Sequence, residues 1–202
     1  MFLEFLAAAL LIELTPGPNM AWLALLGASR GRLTALAAVA GVTLGLSAAG
    51  LAAALGVSAL LGTTPWLFRS LRWAGSLYLL YLAWDAWRDS ASSKETRFEE
   101  PLLRYFGQGL LSNTLNPKAY LVYAAVLPQF INPVNPLLPQ LATLTVLYVG
   151  IASAVHATIA VLAGSFNRFF NDPVWARRLG RVFALLLTAV AVWFFYATEI
   201  KS

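Results

Sequence analysis

The sequence predicts an all-α integral membrane protein with about six transmembrane helices. Hydrophobic residues make up 59% of the chain and charged residues 11%, whereas soluble domains are roughly 25% charged. Six hydrophobic runs are each long enough to cross the roughly 30 Å hydrocarbon core of a bilayer. Little remains for an extramembrane domain, so the whole chain, residues 1–202, is interpreted as one transmembrane domain. The six runs cover about residues 2–28, 33–61, 66–87, 105–131, 138–163 and 179–198.

The composition argues against several other classes of protein. The chain has no cysteine, which excludes disulfides, thiolate metal ligands and thiol redox chemistry. One histidine and two ionisable residues deep in the apolar runs cannot build the clustered ligands of a metal-dependent hydrolase. The net charge of +5 comes from cations spread between the runs rather than from one basic patch. We therefore expect no enzyme activity, no cofactor, no metal ion and no nucleic-acid partner.

Basic residues mark alternate connections between the runs. They concentrate after the first, third and fifth runs, whereas the other two connections hold none in their cores. By the positive-inside rule the basic connections are cytoplasmic, which places both termini outside if all six runs span the membrane. The residues concerned are Arg30, Arg32, Arg88, Lys94, Arg97, Arg104, Arg168, Arg177, Arg178 and Arg181.

The chain divides into two halves with three runs each. A polar linker at residues 88–104 separates a first repeat, about 1–87, from a second repeat, about 105–202. When the second half is aligned with the first at an offset of 101 residues, Pro117 aligns with Pro16. Three spans per half would give the halves opposite orientations in the membrane, as in many secondary transporters. We therefore predict two inverted three-helix repeats.

Prolines interrupt the first and fourth runs, at Thr-Pro-Gly-Pro-Asn (residues 15–19) and Asn-Pro-Lys (residues 116–118). Proline lacks an N–H and clashes with the carbonyl four residues earlier, so it breaks the helix and frees backbone groups. Matching breaks in two halves of a membrane protein indicate the substrate site of a transporter, although simple proline kinks are the other explanation. The candidate substrate-binding residues are Thr15, Pro16, Gly17, Pro18, Asn19, Asn113, Asn116, Pro117 and Lys118.

Glu13 and Lys118 are ionisable residues deep in the apolar runs, each beside one of the two breaks. Such a residue costs about 2.5–3.5 kcal/mol at a helix centre on insertion scales and is therefore functional by default. The two opposite charges could hold the ammonium and carboxylate of an amino acid, or they could form a salt bridge that joins the broken helices. His156, in the fifth run, could relay protons or hydrogen-bond a neighbouring helix.

Gly41 and Gly45 form a GxxxG pair within a second run that is dense in small residues. This spacing lets two helix backbones approach closely, either inside one protein or across a dimer. We interpret the pair as internal packing, because a bundle of six helices needs such contacts, and we keep a homodimer as the other explanation.

The pattern of residues resembles the LysE/RhtB family of bacterial amino-acid exporters over nearly the whole chain. Its most specific parts are Leu-Thr-Pro-Gly-Pro-Asn at residues 14–19 and Asn-Pro-Lys-Ala at 116–119, which leads to Leu-Pro-Gln-Phe at 127–130. Arg-Trp-Ala-Gly at 72–75, with Tyr-Leu-Leu-Tyr-Leu at 78–82, is similar to the family's third helix. The resemblance implies a multi-pass protein of the bacterial cytoplasmic (inner) membrane that exports amino acids or related small metabolites.

The resemblance also implies antiport driven by the proton gradient, so the expected partners are a small-molecule substrate, protons and the lipid bilayer. Many relatives have an aspartate where Asn19 stands and a histidine in the second helix, which this chain lacks. Glu13 is therefore the candidate for the proton-coupling group. We expect alternating access at a mid-membrane site. A membrane scaffold without transport, or an exporter of a different small metabolite or ion, are the alternatives.

Overall fold

The computed structural model describes residues 2–15, 17–55, 65–91, 101–166 and 173–197, and these ranges are helical apart from short connections. The described part of each of the six predicted hydrophobic runs is mostly helical, which confirms the all-α prediction. The helix that begins at Pro117 continues into a π-helical turn, Val122–Val126, and then a 3-10 turn, Leu127–Phe130. The α-helices are α1 (Phe2–Leu14), α2 (Pro18–Arg30), α3 (Arg32–Ala54), α4 (Pro65–Ala91), α5 (Leu102–Thr114), α6 (Pro117–Leu121), α7 (Leu137–Gly164) and α8 (Pro173–Ala197).

Both proline motifs interrupt their helices. The axes of α1 and α2 differ by 61°, and α2 begins at Pro18, where the missing N–H costs no hydrogen bond. Likewise, α6 begins at Pro117, and the Asn116 side chain caps it by accepting a hydrogen bond from the Lys118 N–H at 3.0 Å. The breaks predicted in the first and fourth hydrophobic runs are therefore present, between α1 and α2 and between α5 and α6. Pro16 lies outside the described residues.

Among the described helices, α3 and α7 are long and apolar enough to cross a membrane, and the bent pair α1–α2 makes a third if it is one span. Helix α4 is long enough, but it carries Arg69, Arg72, Asp85 and Arg88. The apolar part of α8 is limited to Gly180–Trp193, which is short for a span. The number of six spans and their arrangement as inverted repeats therefore stay predictions.

Helix α3 lies at the centre of the described structure, where it packs mainly on α5 and α7. Its contact with α5 depends on glycine. A Cβ added at Gly41 would collide with the Phe106 backbone, and one added at Gly109 would collide with the Ala38 backbone. At Gly45 an added Cβ would lie 3.0 Å from the Asn113 Cβ. The GxxxG pair therefore serves packing within the chain, as predicted, and brings Asn113 against α3.

Packing also joins the two halves of the chain. Helix α3 of the first half contacts α7 of the second, α4 contacts α8, and α2 contacts α7. Near the start of α1, the rings of Phe5 and Phe130 meet edge to face with centroids 5.2 Å apart. These contacts place the break between α1 and α2 beside the break between α5 and α6.

Substituting alanine for two glycines of α5 separates close packing from helix propensity. Gly109→Ala should lower the free energy of unfolding by about 1–3 kcal/mol, because the new methyl group meets the α3 backbone. Gly107→Ala should be neutral or stabilising by about 0.5–1 kcal/mol, because nothing lies within 4 Å of the added Cβ. Thermal unfolding of the two purified variants in detergent measures the difference. Equal unfolding temperatures would contradict the close α3–α5 contact.

Candidate functional site

A polar cleft lies where the two helix breaks meet. It holds about 330 Å³ of space not filled by protein atoms, including its open mouth. Six of the residues predicted from the sequence line it, together with five others. The predicted ones are Glu13, Gly17, Asn19, Asn113, Asn116 and Lys118, and the others are Met20, Leu46, Ala119, Tyr148 and His156.

Lys118 extends from the second break to the first. Its Nζ donates hydrogen bonds to the Ile12 carbonyl at 2.8 Å and to the Thr15 carbonyl at 3.3 Å. The Ile12 carbonyl is the one that would accept from residue 16 in an unbroken helix, and proline has no N–H to give. In this structure that carbonyl also accepts from the Thr15 N–H at 3.2 Å, so the cation of one half adds a second, charged donor to the backbone beside the break in the other half.

Glu13 is the most densely contacted polar group of the cleft, and only 4% of its surface is exposed. One carboxylate oxygen accepts a hydrogen bond from the Tyr148 hydroxyl at 2.7 Å and lies 4.0 Å from the Lys118 Nζ. The other oxygen lies 3.6 Å from the His156 Nε2. The salt bridge between the broken helices, one of the two sequence-based explanations, is therefore the arrangement in this structure.

Side-chain amides join the breaks on the other side of the cleft. The Asn19 Nδ2 donates to the Asn113 Oδ1 at 2.9 Å, and the Asn19 Oδ1 accepts from the Ser112 hydroxyl at 2.8 Å. Asn113 is 1% exposed, yet its Nδ2 finds no hydrogen-bond partner among the described residues. A buried donor without a partner is costly, and a ligand in the cleft could supply the missing acceptor.

The remaining predicted residues shape the backbone rather than line the cleft. Pro18 and Pro117 begin α2 and α6. Thr15 contributes its carbonyl, because its hydroxyl hydrogen-bonds the Leu11 carbonyl one turn back. Gly17 does line the cleft, and a Cβ there would lie in ordinary van der Waals contact with the Lys118 Nζ, at 3.8 Å.

Sequence reasoning missed Tyr148 and Ser112, and it left the role of His156 open. A signal existed for the first of these, because Leu144, Tyr148, Ala152 and His156 recur every four residues along α7 and are all buried. That period marks a helix face turned towards the protein. Ser112 gives no comparable signal, because it belongs to no periodic pattern and only lies next to the predicted residue Asn113 in the chain.

Comparison with known proteins bears on this arrangement. The family model for the LysE type translocator matches residues 10–198. The chain belongs to this family. It is 33% identical to a leucine efflux protein of Klebsiella pneumoniae, with 89% of this chain and 86% of that protein covered. It is 27% identical to a homoserine/homoserine lactone efflux protein of Salmonella typhimurium, with 92% and 91% covered. No solved structure matches the chain significantly.

Membership of the LysE translocator family makes this chain a membrane transporter, and it confirms the resemblance inferred from the proline motifs. An uncharacterized membrane protein of Vibrio cholerae is 28% identical over 90% of both chains. Members of the family are transporters rather than enzymes. Among the residues that the structure describes, no group of three or more histidine or acidic side chains is arranged to hold a metal ion.

Removing the Tyr148 hydroxyl tests the polar core of the cleft. Tyr148→Phe should lower the free energy of unfolding by about 1–2 kcal/mol, because Glu13 loses its shortest hydrogen bond inside the membrane. The matched control is Tyr196→Phe on α8, where the side chain is 66% exposed and a change below about 0.5 kcal/mol is expected. Unfolding of both variants in detergent gives the comparison. A loss no larger for Tyr148→Phe than for Tyr196→Phe would show that the hydroxyl does not support Glu13.

Proposed function

We propose that this translocator exports amino acids or closely related small metabolites across the bacterial cytoplasmic membrane, in exchange for protons, by alternating access at the cleft. The observation that carries the proposal is that Glu13 and Lys118, from opposite halves of the chain, meet in one polar cleft between two broken helices. The efflux proteins to which the chain is similar support the direction of transport and the class of substrate.

The chemistry of the cleft suits a zwitterion. An amino acid presents an ammonium and a carboxylate only a few ångströms apart, and Glu13 and Lys118 offer the two opposite charges at 4.0 Å. The unpartnered Asn113 Nδ2 is a further donor for a carboxylate, and the start of α2 adds the positive end of a helix dipole. The carbonyls of Ile12 and Thr15 are acceptors for an ammonium.

Those carbonyls are occupied by Lys118 in this structure, so substrate binding requires an exchange of partners. The substrate ammonium would replace the Lys118 Nζ at the Ile12 and Thr15 carbonyls, and Lys118 would turn to the substrate carboxylate. The exchange leaves neither Lys118 nor the two carbonyls without a charged hydrogen bond, which offsets part of the cost of removing the substrate's charges from water. It also loosens the direct bond between the two broken helices, which is a means for substrate to bias the halves towards a new arrangement.

Glu13 is the proposed proton-coupling group. Protonation of its carboxylate would remove the charge that holds the substrate ammonium and so favour release and return of the empty carrier. His156, at 3.6 Å, is the neighbouring group that can take or give the proton. The Tyr148 hydroxyl donates to the carboxylate at 2.7 Å and fixes the orientation of Glu13 towards the cleft.

Inverted repeats would give alternating access a structural basis. The helices that the sequence pairs as equivalents are α3 with α7 and α4 with α8, and each of these pairs is in contact. Such contacts are expected on either side of an axis that relates the two halves. These contacts support the inverted repeat independently of the similarity between the two half-sequences.

Replacing Lys118 tests the substrate site. Purified protein in liposomes loaded with single amino acids, leucine and homoserine among them, should show efflux that Lys118→Met lowers at least tenfold, since a missing charged contact costs about 1.5–3 kcal/mol. The control is Lys94→Met in the polar linker, which should transport as the original chain does. Retained efflux by folded Lys118→Met would contradict the assigned role. Absence of efflux of every amino acid from the original chain would point to a different metabolite.

Replacing Glu13 tests proton coupling. With an imposed pH gradient, Glu13→Gln should lose the stimulation of efflux by the gradient, while exchange of internal for external substrate continues, because the amide no longer binds and releases a proton. Glu4→Gln is the matched control on α1, at an exposed position near the helix start, and should keep the full response. Gradient-driven export that is unchanged in Glu13→Gln would assign coupling to another group.

A further inference from the structure

A second cavity lies next to the cleft, on the side of α4. It holds about 180 Å³ of unfilled space, including its mouth. Asn19 and Asn116 line both cavities, so their side chains form the partition between them. The rest of its lining comes from α2, α4 and the end of α5, namely Pro18, Gly75, Leu79, Ser112 and Leu115. The lining therefore combines polar and apolar side chains.

This cavity lies on the seam where α4 and α5 run antiparallel. Gly75 and Leu79 of α4 face Ser112 and Leu115 of α5 across the cavity. The seam continues towards the connection between these helices, which is rich in basic residues and therefore cytoplasmic by the positive-inside rule. Helix α4 packs chiefly on α8 and contacts α5 only sparsely. Little apolar packing therefore has to be broken to part the seam.

A polar cluster closes the cytoplasmic end of the seam. The Arg104 guanidinium donates to the Asp85 carboxylate at 2.7 Å, and the Gln108 amide reaches the same oxygen at 3.5 Å. One turn further in, the Tyr78 hydroxyl donates to the Gln108 carbonyl at 3.3 Å. The side chains of Arg104 and Asp85 are 33% and 19% exposed, which suits contacts that open into water. Asp85 follows the cavity residue Leu79 by six residues, which is about 9 Å along the helix.

We propose that the second cavity is a binding station on the substrate's path from the cytoplasm, and that Asp85, Arg104 and Gln108 form the gate that closes it. This inference rests on the proposed export function and adds a path to it. In this structure the enclosed part of the second cavity has room for about one water molecule, so the substrate enters it only after α4 and α5 part, and it reaches the cleft when Asn19 and Asn116 move aside. The mixed walls fit a small zwitterion with a short apolar side chain, whose charged end faces Ser112, Asn19 and Asn116.

Because the chain has no cysteine, an introduced cysteine is the only thiol present and can report on the gate. Leu115→Cys places a thiol in the second cavity without touching the amide partition. We expect a membrane-impermeant thiol reagent to label it slowly from the cytoplasmic side, and roughly three- to tenfold faster when Asp85→Ala removes the charged hydrogen bond. The exchanged pair Asp85→Arg/Arg104→Asp should restore slow labelling. Labelling that is unchanged by Asp85→Ala, or faster from the opposite side, would overturn the proposal.

A crosslink tests whether the gate opens in each transport cycle. A short bifunctional thiol reagent that joins Asp85→Cys to Arg104→Cys should abolish efflux, and cleavage of the crosslink should restore it. The matched control joins Arg32→Cys to Ser165→Cys, a contacting pair between α3 and the end of α7, and should leave efflux intact. Undiminished efflux with the seam crosslinked would overturn the proposal.

The two experiments separate the gate from the proposed function. The labelling assay measures how accessible the second cavity is to the thiol reagent, and it needs no transported substrate. If the original chain exported no amino acid but Asp85→Ala still accelerated labelling from the cytoplasm, the proposed substrate class would fail and the gate would stand. If export occurred and labelling did not respond, the gate would fail and the export function would stand.

Discussion

The structure around the cleft depends on one interaction, between the ammonium of Lys118 and the carbonyls of Ile12 and Thr15. A backbone carbonyl inside a membrane needs a donor, and a proline four residues later cannot provide it. The Ile12 carbonyl keeps a hydrogen bond from the Thr15 N–H at 3.2 Å, and Lys118 adds a charged donor from the opposite half of the chain. The same cation lies 4.0 Å from Glu13, so an opposite charge accompanies it where it is partly buried. A break that would be costly in an isolated helix thus becomes a joint between the halves.

The close packing of small residues places the polar groups around this joint. Gly41 and Gly109 let α3 and α5 approach at the backbone, and Gly45 leaves room for Asn113. Asn113 then meets Asn19 at the start of α2. Because side chains in a packed interior have few alternative positions, the glycines of one helix pair decide where an amide of the cleft can lie. Packing and chemistry are therefore coupled in this protein.

Along the proposed substrate path, the partition between the cleft and the second cavity differs in kind from the outer gate. In the partition, buried amides and a hydroxyl form short hydrogen bonds, which are strong because no water competes. At the cytoplasmic end of the α4–α5 seam, an ion pair between partly exposed side chains does the same, and such pairs exchange readily with water. A strong inner partition and a weaker outer gate would let the two open in sequence.

The helical class, the two breaks and the two ionisable residues beside them can be predicted from the sequence, because apolar length, proline chemistry and charge within an apolar run are properties of short segments. It also marked the asparagines that line the cleft and the internal use of the GxxxG pair. The tertiary structure decided that Glu13 and Lys118 pair directly, that Tyr148 and His156 join them, and that Ser112 completes the amide network. These facts depend on how each helix is rotated about its axis, and that rotation is set by contacts with neighbouring helices that hydropathy does not encode.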